Sequence, residues 1–280
     1  MKKENFEYKK RNMLIWNEVA PRYHDRWANK EIGPFGSTKK LIYNLDIKKS
    51  EKILDVACGT GLVSRQIIRK VGKNGMVLGI DTSINAILIA KNSIKNQKNL
   101  FFVNADAENF LFNKKFNRIT CQFALFFFPD AKIALKNMKK HLEKNGMIGI
   151  TTHGKNTPFF SSIIDSVTKF IPDYIPPNTP SLDRFGTKEE LQKIVNDSGF
   201  SKICINDYIF HYSPGTFTDY WNDYIKYVAK PIKLKINNLN KIKKKELKKM
   251  IYEKTLPYTN NKGIIKFPWE VLILTAKNRK

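Results

Sequence analysis

A chain of 280 residues, 42% hydrophobic and 12% aromatic, can bury an ample core; this excludes a disordered protein and suits one large domain or a core domain with insertions. The formal net charge of +25 raises a polyanion or an anionic membrane as partner, yet only eight of the 50 basic residues are Arg, the better fork for phosphates and bases. Lys, Asn and Ile are abundant together, as an AT-rich gene would give, so compositional drift on a solvated surface explains the charge equally well.

The first 45 residues read as a helical cap. Glu4 to Asn29 has Leu14, Val19 and Trp27 on a rough apolar stripe, with a break at Pro21. Gly33-Pro34-Phe35-Gly36 is a loop, and Ser37 is an N-cap candidate for a short helix through Asn44. From residue 46 apolar runs and helical patterns alternate. Strands are expected at 52–57, 76–80, 100–104, 118–124 and 146–152, and helices at 61–71, 83–97 and 129–143. Asp81-Thr82-Ser83 starts one helix, Pro129-Asp130 starts another, and Asn145-Gly146 closes the latter. Such alternation implies an α/β, doubly wound parallel sheet of Rossmann-like type.

After residue 153 the rhythm changes. Thr157 to Ile171 reads as an extra helix, and with the proline-rich loop Pro172 to Pro180 it makes a helical insertion at about 154–186. Thr187 to Ser198 is a helix closed by Gly199, and 201–212 is a strand. Pro214 to Lys262 is largely helical and Lys-rich, and Ile265 to Ala276 reads as a strand. The expected domains are an N-terminal cap at 1–45, a core at 46–212 and 264–280, and a Lys-rich helical insertion at 213–263. Cys58, Cys121 and Cys204 are far apart and never CxxC, which suits a reducing compartment. No apolar run approaches the roughly 18 residues of a membrane span, and the N-terminus has no signal-like region, so a cytoplasmic location is expected. No histidine, cysteine or carboxylate spacing suggests a metal site.

Residues 53–61, Ile-Leu-Asp-Val-Ala-Cys-Gly-Thr-Gly, are the most informative stretch. An apolar strand, a tight glycine turn and a helix N-terminus bring backbone N–H groups against a ligand. The Gly-x-Gly-x-x-Gly dinucleotide pattern is incomplete because position 64 is Ser, and no Gly-Lys-Ser/Thr follows to make a phosphate loop. The segment resembles motif I of the class I S-adenosylmethionine (SAM)-dependent methyltransferases. The resemblance continues across roughly 50–210, through Val77-Leu78-Gly79-Ile80-Asp81 and Asn104-Ala105-Asp106-Ala107-Glu108. It implies a seven-stranded sheet ending in an antiparallel hairpin, with strands six and seven at 201–212 and 268–277. The insertion between them would then be a lid over the C-terminal edge of the sheet.

By the same resemblance SAM would be held by Asp55, Ala57, Gly59 and Gly61 of the turn, by Asp81 and Thr82 after the second strand, by Asp106 and Ala107 after the third, and by Gln122 after the fourth. Asp81 would accept the ribose hydroxyls, Asp106 the adenine amino group, and the Ala107 N–H would address the ring. After the fourth strand, Cys121-Gln122-Phe123-Ala124-Leu125-Phe126-Phe127-Phe128-Pro129-Asp130 lacks the Asn/Asp-Pro-Pro-Tyr/Phe turn used to methylate planar amino groups. This stretch, with Leu142-Glu143-Lys144-Asn145-Gly146, resembles the methyltransferase type 11 set that includes the ubiquinone and menaquinone C-methyltransferases. Trp16-Asn17-Glu18-Val19-Ala20-Pro21-Arg22-Tyr23-His24 resembles that set too, which would place Tyr23 on the methionine portion of SAM. Phe126 to Phe128 could serve as core or as a wall for the acceptor.

The expected activity is therefore methyl transfer from SAM to a carbon or oxygen of a small, largely apolar molecule. Catalysis would come mainly from alignment, with His153 and then His24 as base candidates; each could equally be a structural polar residue. His211 would face the lid and His141 would lie on the surface. Lys230 to Lys254 reads as an amphipathic basic helix or helix pair, either a solvated lid or a surface for an anionic membrane. Two other readings stay open: an RNA methyltransferase recruited by its charge, disfavoured for want of an RNA-binding module, and a non-catalytic SAM-binding protein.

Overall fold

The computed structural model describes residues 3–94, 97–172, 183–228 and 230–278. Strands β1 (Lys52–Val56), β2 (Met76–Asp81), β3 (Leu100–Asn104), β4 (Phe116–Gln122) and β5 (Leu142–His153) run parallel in the order β3-β2-β1-β4-β5. The sheet is completed by β6 (Phe200–Gly215) and β7 (Ile265–Asn278); β7 pairs antiparallel with β5, and β6 forms the edge beyond it. The seven-stranded sheet that the resemblance implies is present. Strand order reverses between β1 and β4, which opens a crevice beyond the carboxyl ends of those two strands.

The helices are α1 (Lys3–Tyr23), α2 (Thr38–Asn44), α3 (Leu62–Val71), α4 (Ile84–Asn92), α5 (Ala131–Lys140), α6 (Pro158–Phe170), α7 (Lys188–Asp197), α8 (Phe217–Tyr227), α9 (Lys230–Asn238) and α10 (Lys241–Thr255). Central strands covered on both faces need unbroken apolar runs. Leu54, Val56, Ile119, Cys121, Ile148 and Ile150 are accordingly buried with Ala134, Leu135 and Met138 of α5 and Leu191 and Val195 of α7.

The chain divides into two compact units. One comprises Met1–Gly154, Pro180–Tyr208 and Val271–Lys280, the other Lys155–Thr179 and Ile209–Glu270. The second unit holds α6, α8, α9 and α10 and is built on rings: Trp269 stacks on Phe159 at 5.3 Å and on Phe210 at 5.5 Å. The Tyr220 hydroxyl donates to the Phe159 carbonyl. Most of the expected proline-rich loop, from 173 onward, lies outside the described residues; the helix expected at 83–97 is shorter, ending at Asn92 with Ser93 as its C-cap.

Several local expectations are corrected. Helix α1 does not break at Pro21 but runs to Tyr23, continuing as a π-turn over His24–Ala28. Proline has no N–H to offer the carbonyl one turn back. That carbonyl, of Asn17, accepts instead from Asn85 Nδ2 at 2.9 Å, so α1 is fastened to α4 where its own ladder is interrupted. Leu14, placed on the apolar stripe, is 55% exposed. Ser37 occupies the N-cap position of α2 without capping it; its hydroxyl donates to the Pro34 carbonyl at 3.2 Å.

Helix α5 stops at Lys140, and Asn145-Gly146 lies within β5 instead of closing the helix. The cause is His141, which is buried rather than on the surface. Its Nδ1 meets the Asn137 carbonyl at 2.9 Å and its Nε2 accepts the Phe112 N–H at 3.1 Å, while its own carbonyl accepts from the Phe116 N–H at 2.8 Å. The chain therefore joins the sheet early, and β5 absorbs the surplus residues in an irregularity at which Asn145 has φ 64°.

The turn into α3 shows why Gly61 is glycine. Its φ is 82°, and a Cβ there would lie 2.6 Å from the Phe102 ring. Gly61→Ala should lower unfolding stability by about 2–4 kcal/mol, combining left-handed strain with overpacking. The urea midpoint should fall at unchanged slope. An unchanged midpoint would show that the turn relaxes freely.

Candidate active site

The crevice at the strand-order reversal opens into a cavity in the first unit, and motif residues line it. From the turn come Asp55, Ala57, Cys58, Gly59 and Thr60, from β2 and its end Asp81, Thr82 and Ser83, and from the segment after β3 Ala105, Asp106, Ala107 and Glu108. The β4 end adds Gln122, Phe123 and Ala124, followed by Phe127, Phe128 and Pro129.

Asp55 is fully enclosed, and its carboxylate accepts from the Ser64 hydroxyl of α3 at 2.6 Å and the Thr120 hydroxyl of β4 at 2.7 Å. Burial pushes its pKa up to about 6 against the opposing effect of those hydroxyls. Both oxygens are thus engaged in tying the turn to its neighbours. Asp81 stands differently. Its Oδ2 accepts the Gly59 N–H at 2.9 Å and its Oδ1 the Ser83 N–H at 2.8 Å, whereas the α4 N-cap is Ser83, whose hydroxyl accepts from Ala86 N–H at 3.1 Å. A carboxylate has about four lone-pair sites, so Asp81 retains capacity toward the cavity. Burial raises its pKa, and the backbone donors oppose the shift.

Backbone strain is present in the lining. Ala57 and Gly59 have φ of 55° and 54°, and Phe123, at the end of β4, has 52°. Left-handed non-glycine residues at the carboxyl ends of two adjacent strands are costly, and both of these line the cavity. A Cβ on Gly59 would meet nothing within 4 Å, so at that point the turn faces open space.

Helix α1 forms a wall that the sequence reading largely missed. Lys9, Asn12, Trp16, Ala20 and Tyr23 line the cavity, at steps of three and four residues that define one helix face. Trp16 meets Tyr23 at 5.6 Å and Phe127 at 5.4 Å, edge to face in both cases, and Tyr23 meets Phe35 at 6.1 Å. Burial raises the Tyr23 phenol well above its ordinary pKa. Lys9 Nζ lies 2.6 Å from Asp106 and 2.7 Å from Glu108, so one cation from α1 bridges both acids after β3. Gln122 donates through Nε2 to Thr38 Oγ1 at 2.9 Å and to the Pro34 carbonyl at 3.3 Å, while its buried Oε1 has no partner.

Three residues of the expected set stand outside the lining. Gly61 lies behind the turn against Phe102. His24 has Nδ1 2.9 Å from Thr60 Oγ1, so it braces a lining residue, and desolvation followed by Arg65 lowers its pKa. His153, the last residue of β5, stacks on Phe123 at 4.5 Å and packs against Phe126 at 5.4 Å. Desolvation holds its pKa far below the usual histidine range. The phenylalanine run divides: Phe126 is core, and Phe127 and Phe128 face the cavity.

The raised pKa of Asp55 has a signed consequence. A folded value of about 6 against 3.8 means that the native state holds this proton more tightly than the unfolded chain does. The contribution of Asp55 to stability is then most favourable below about pH 4 and falls by up to roughly 3 kcal/mol as pH rises to about 6. Asp55→Asn should flatten that part of the stability–pH curve measured by denaturant unfolding. Parallel curves for the two proteins would refute the shift.

Comparisons with known proteins agree with this geometry. A family profile described as a methyltransferase domain matches residues 47–214. The demethylmenaquinone methyltransferase of Staphylococcus saprophyticus is 30% identical over 183 residues, covering 61% of this chain and 78% of that protein. Among solved structures, a provisionally named methyltransferase of Bacillus halodurans superposes with a TM-score of 0.60 at 20% identity, covering 88% of this chain and all of that one. Phosphoethanolamine N-methyltransferase 2 of Haemonchus contortus, in complex with S-adenosyl-L-methionine, gives a TM-score of 0.52 at 14% identity, over 88% of this chain and 53% of that one. The chain belongs to the methyltransferase domain family and is a class I methyltransferase with S-adenosyl-L-methionine as its cofactor.

Proposed function

We propose that the enzyme methylates a carbon or oxygen of a small, largely apolar, planar acceptor. The observation that carries this reading is the composition of the cavity beyond the glycine turn. Trp16, Tyr23, Phe35, Phe123, Phe127 and Phe128 supply aromatic faces, and Gln122 stands where amino-methylating enzymes present paired acceptors. The name of the Staphylococcus relative, demethylmenaquinone methyltransferase, supports a quinone-related ring as the acceptor class.

The residues fit the cofactor. The turn at Gly59 faces open space, Asp81 keeps lone pairs toward the cavity for ribose hydroxyls, and the orphaned Gln122 Oε1 awaits a donor. Asp106 and Ala107 line the cavity and would meet the adenine, with Lys9 holding the Asp106 carboxylate. S-adenosyl-L-methionine supplies a methyl group already activated on a positively charged sulfur. The protein must then hold the acceptor in line and exclude water, which can contribute about 7–11 kcal/mol.

A general base is not needed by this reading, and the lining offers little to serve as one. Its histidine content is nil, Asp55 is engaged by two hydroxyls, Asp106 and Glu108 are engaged by Lys9, and Asp81 holds the turn. His153 and His24 act as ring packing and as a brace.

Asp81→Ala should weaken SAM binding by roughly ten- to a hundredfold, since hydrogen bonds to a charged group contribute about 1.5–3 kcal/mol. Unchanged calorimetric affinity in the folded variant would remove Asp81 from the cofactor site. The acceptor class is tested by labelled methyl transfer from SAM into a cell extract followed by partition of the product. Label is expected in the organic or small polar fraction, and label in RNA would overturn the reading.

A further inference from the structure

Outside the cofactor cavity, a groove in the first unit runs between the segment at 109–115 and the outer face of α5, and its chemistry is unlike that of an ordinary solvated surface. It is lined by Leu111, Lys114, Lys115, Ile133, Lys136 and Lys140 among others. Leu111 is 84% exposed and Ile133 48% exposed, whereas an apolar side chain so fully in water is stabilised by any surface that covers it. The lysines are exposed, and among the described residues none of the four is ion-paired. Glu108, an acid of the lining, is engaged elsewhere: it shares Lys9 with Asp106 and accepts from the Asp130 N–H at 3.0 Å. Ile133, Lys136 and Lys140 recur at steps of three and four, so α5 presents them on one face.

The segment that carries Leu111 is braced. Asn137 Nδ2 donates to the carbonyls of Phe110 at 3.1 Å and Ala107 at 3.3 Å, the Phe112 N–H donates to His141 Nε2, and Phe110 packs on the His141 ring at 4.5 Å. The contact of His141 Nδ1 with the Asn137 carbonyl completes the network and fixes the tautomer with the proton on Nδ1. An exposed leucine on a braced support, in one groove with lysines that have no ion pair among the described residues, has the two elements needed at a lipid–water boundary: an apolar anchor and cations at headgroup level.

We propose that this groove is a docking surface for an anionic lipid bilayer, with Leu111 and Ile133 entering the interface and Lys114, Lys115, Lys136 and Lys140 meeting headgroup phosphates. The combination favours lipid over nucleic acid, because phosphate binding alone gives no reason for the leucine. No helix among the described residues is long and apolar enough to cross a membrane, so the association is peripheral. Glu108 lines both this groove and the cofactor cavity, so docking would bring the cavity close to the bilayer. Delivery of an apolar acceptor from the membrane rests on the proposed function; the docking itself does not, and its test requires no turnover.

The test is cosedimentation of the full chain with phosphatidylcholine vesicles containing about 30% phosphatidylglycerol, with pure phosphatidylcholine as reference. Each lysine at an anionic surface contributes about fivefold, so the triple variant K114Q/K136Q/K140Q should lose on the order of a hundredfold in partitioning. Leu111→Ser should lose about tenfold on anionic vesicles at unchanged charge. The triple variant K241Q/K243Q/K245Q on α10 carries the same charge change elsewhere and should lose clearly less. All the positions are exposed, so thermal unfolding should be unaltered, which separates binding from folding. Equal losses in the two triple variants would show diffuse attraction of a basic protein and overturn the proposal. So would an inert Leu111→Ser, or a groove variant that loses filter retention of RNA and not vesicle binding. Self-association without vesicles that Leu111→Ser abolishes would assign the surface to a second copy and overturn it as well.

Discussion

A carboxylate taken out of water must be hydrogen-bonded or take up a proton, and Asp55 carries this constraint for the whole site. It sits on β1, an interior strand, and its two oxygens reach α3 through Ser64 and β4 through Thr120. The turn between β1 and α3 is thereby tied down at both ends, and its middle is fixed by Gly59 N–H donating to Asp81. Left-handed residues at Ala57, Gly59 and Gly61 persist because these bonds over-determine the path of the chain. An uncharged side chain of similar size could not accept from two hydroxyls through two equivalent oxygens. The cost of burial appears in the raised pKa of Asp55, and the return is a rigid backbone edge facing the cavity.

Much of this was legible in the sequence, for identifiable reasons. Parallel strands buried on both faces read as short apolar runs, and the glycine turn is punctuated by residues that only special backbone geometry demands. What escaped depended on long-range partners. The cavity face of α1 carries Lys9 and Asn12 as well as Trp16, Ala20 and Tyr23, so a search for an apolar stripe selected Leu14 and Val19 instead. Lys9 became interpretable only when the segment after β3 was seen to bring Asp106 and Glu108 to it. Lone histidines are equally opaque: His141 ends α5 and braces the next segment, and His153 packs among rings, but neither residue's neighbours in sequence reveal this. The short helical turn at Leu125–Phe127 explains why Phe126 turns inward and Phe127 outward, a division that strand alternation would not give.

The large positive charge behaves similarly. As a total it constrains solubility and nonspecific association, not location. The structure separates lysines with partners from those without. Lys9 bridges two acids, Lys254 reaches Asp165, Lys249 faces Glu253 one turn along α10, and Lys248 lies 5.2 Å from the Trp221 ring. These interactions explain part of the basic character as ordinary surface chemistry worth little individually. The groove beside α5 differs because lysines without an ion pair among the described residues share it with an exposed leucine on a braced support. The distinction rests on local pairing and packing, which composition averages away.

On the proposed reading, the shortage of an available base in the lining also constrains the order of events. An acceptor that reacts as an enolate or phenolate must bring its own acidity, because the carboxylates around it are engaged and the phenol of Tyr23 is driven further from ionisation by burial. Placing such an anion among aromatic rings costs desolvation free energy, and among the described residues the cavity lining holds one cation, Lys9, which is shared by two acids. S-adenosyl-L-methionine, when bound, would supply a positive charge through its sulfonium. Its electrostatic attraction would favour the ionised acceptor only when the cofactor is already bound, and the charge would vanish as the methyl group leaves. On that reading a cofactor-first order would be expected, and loss of the attraction on transfer would assist release of a neutral product.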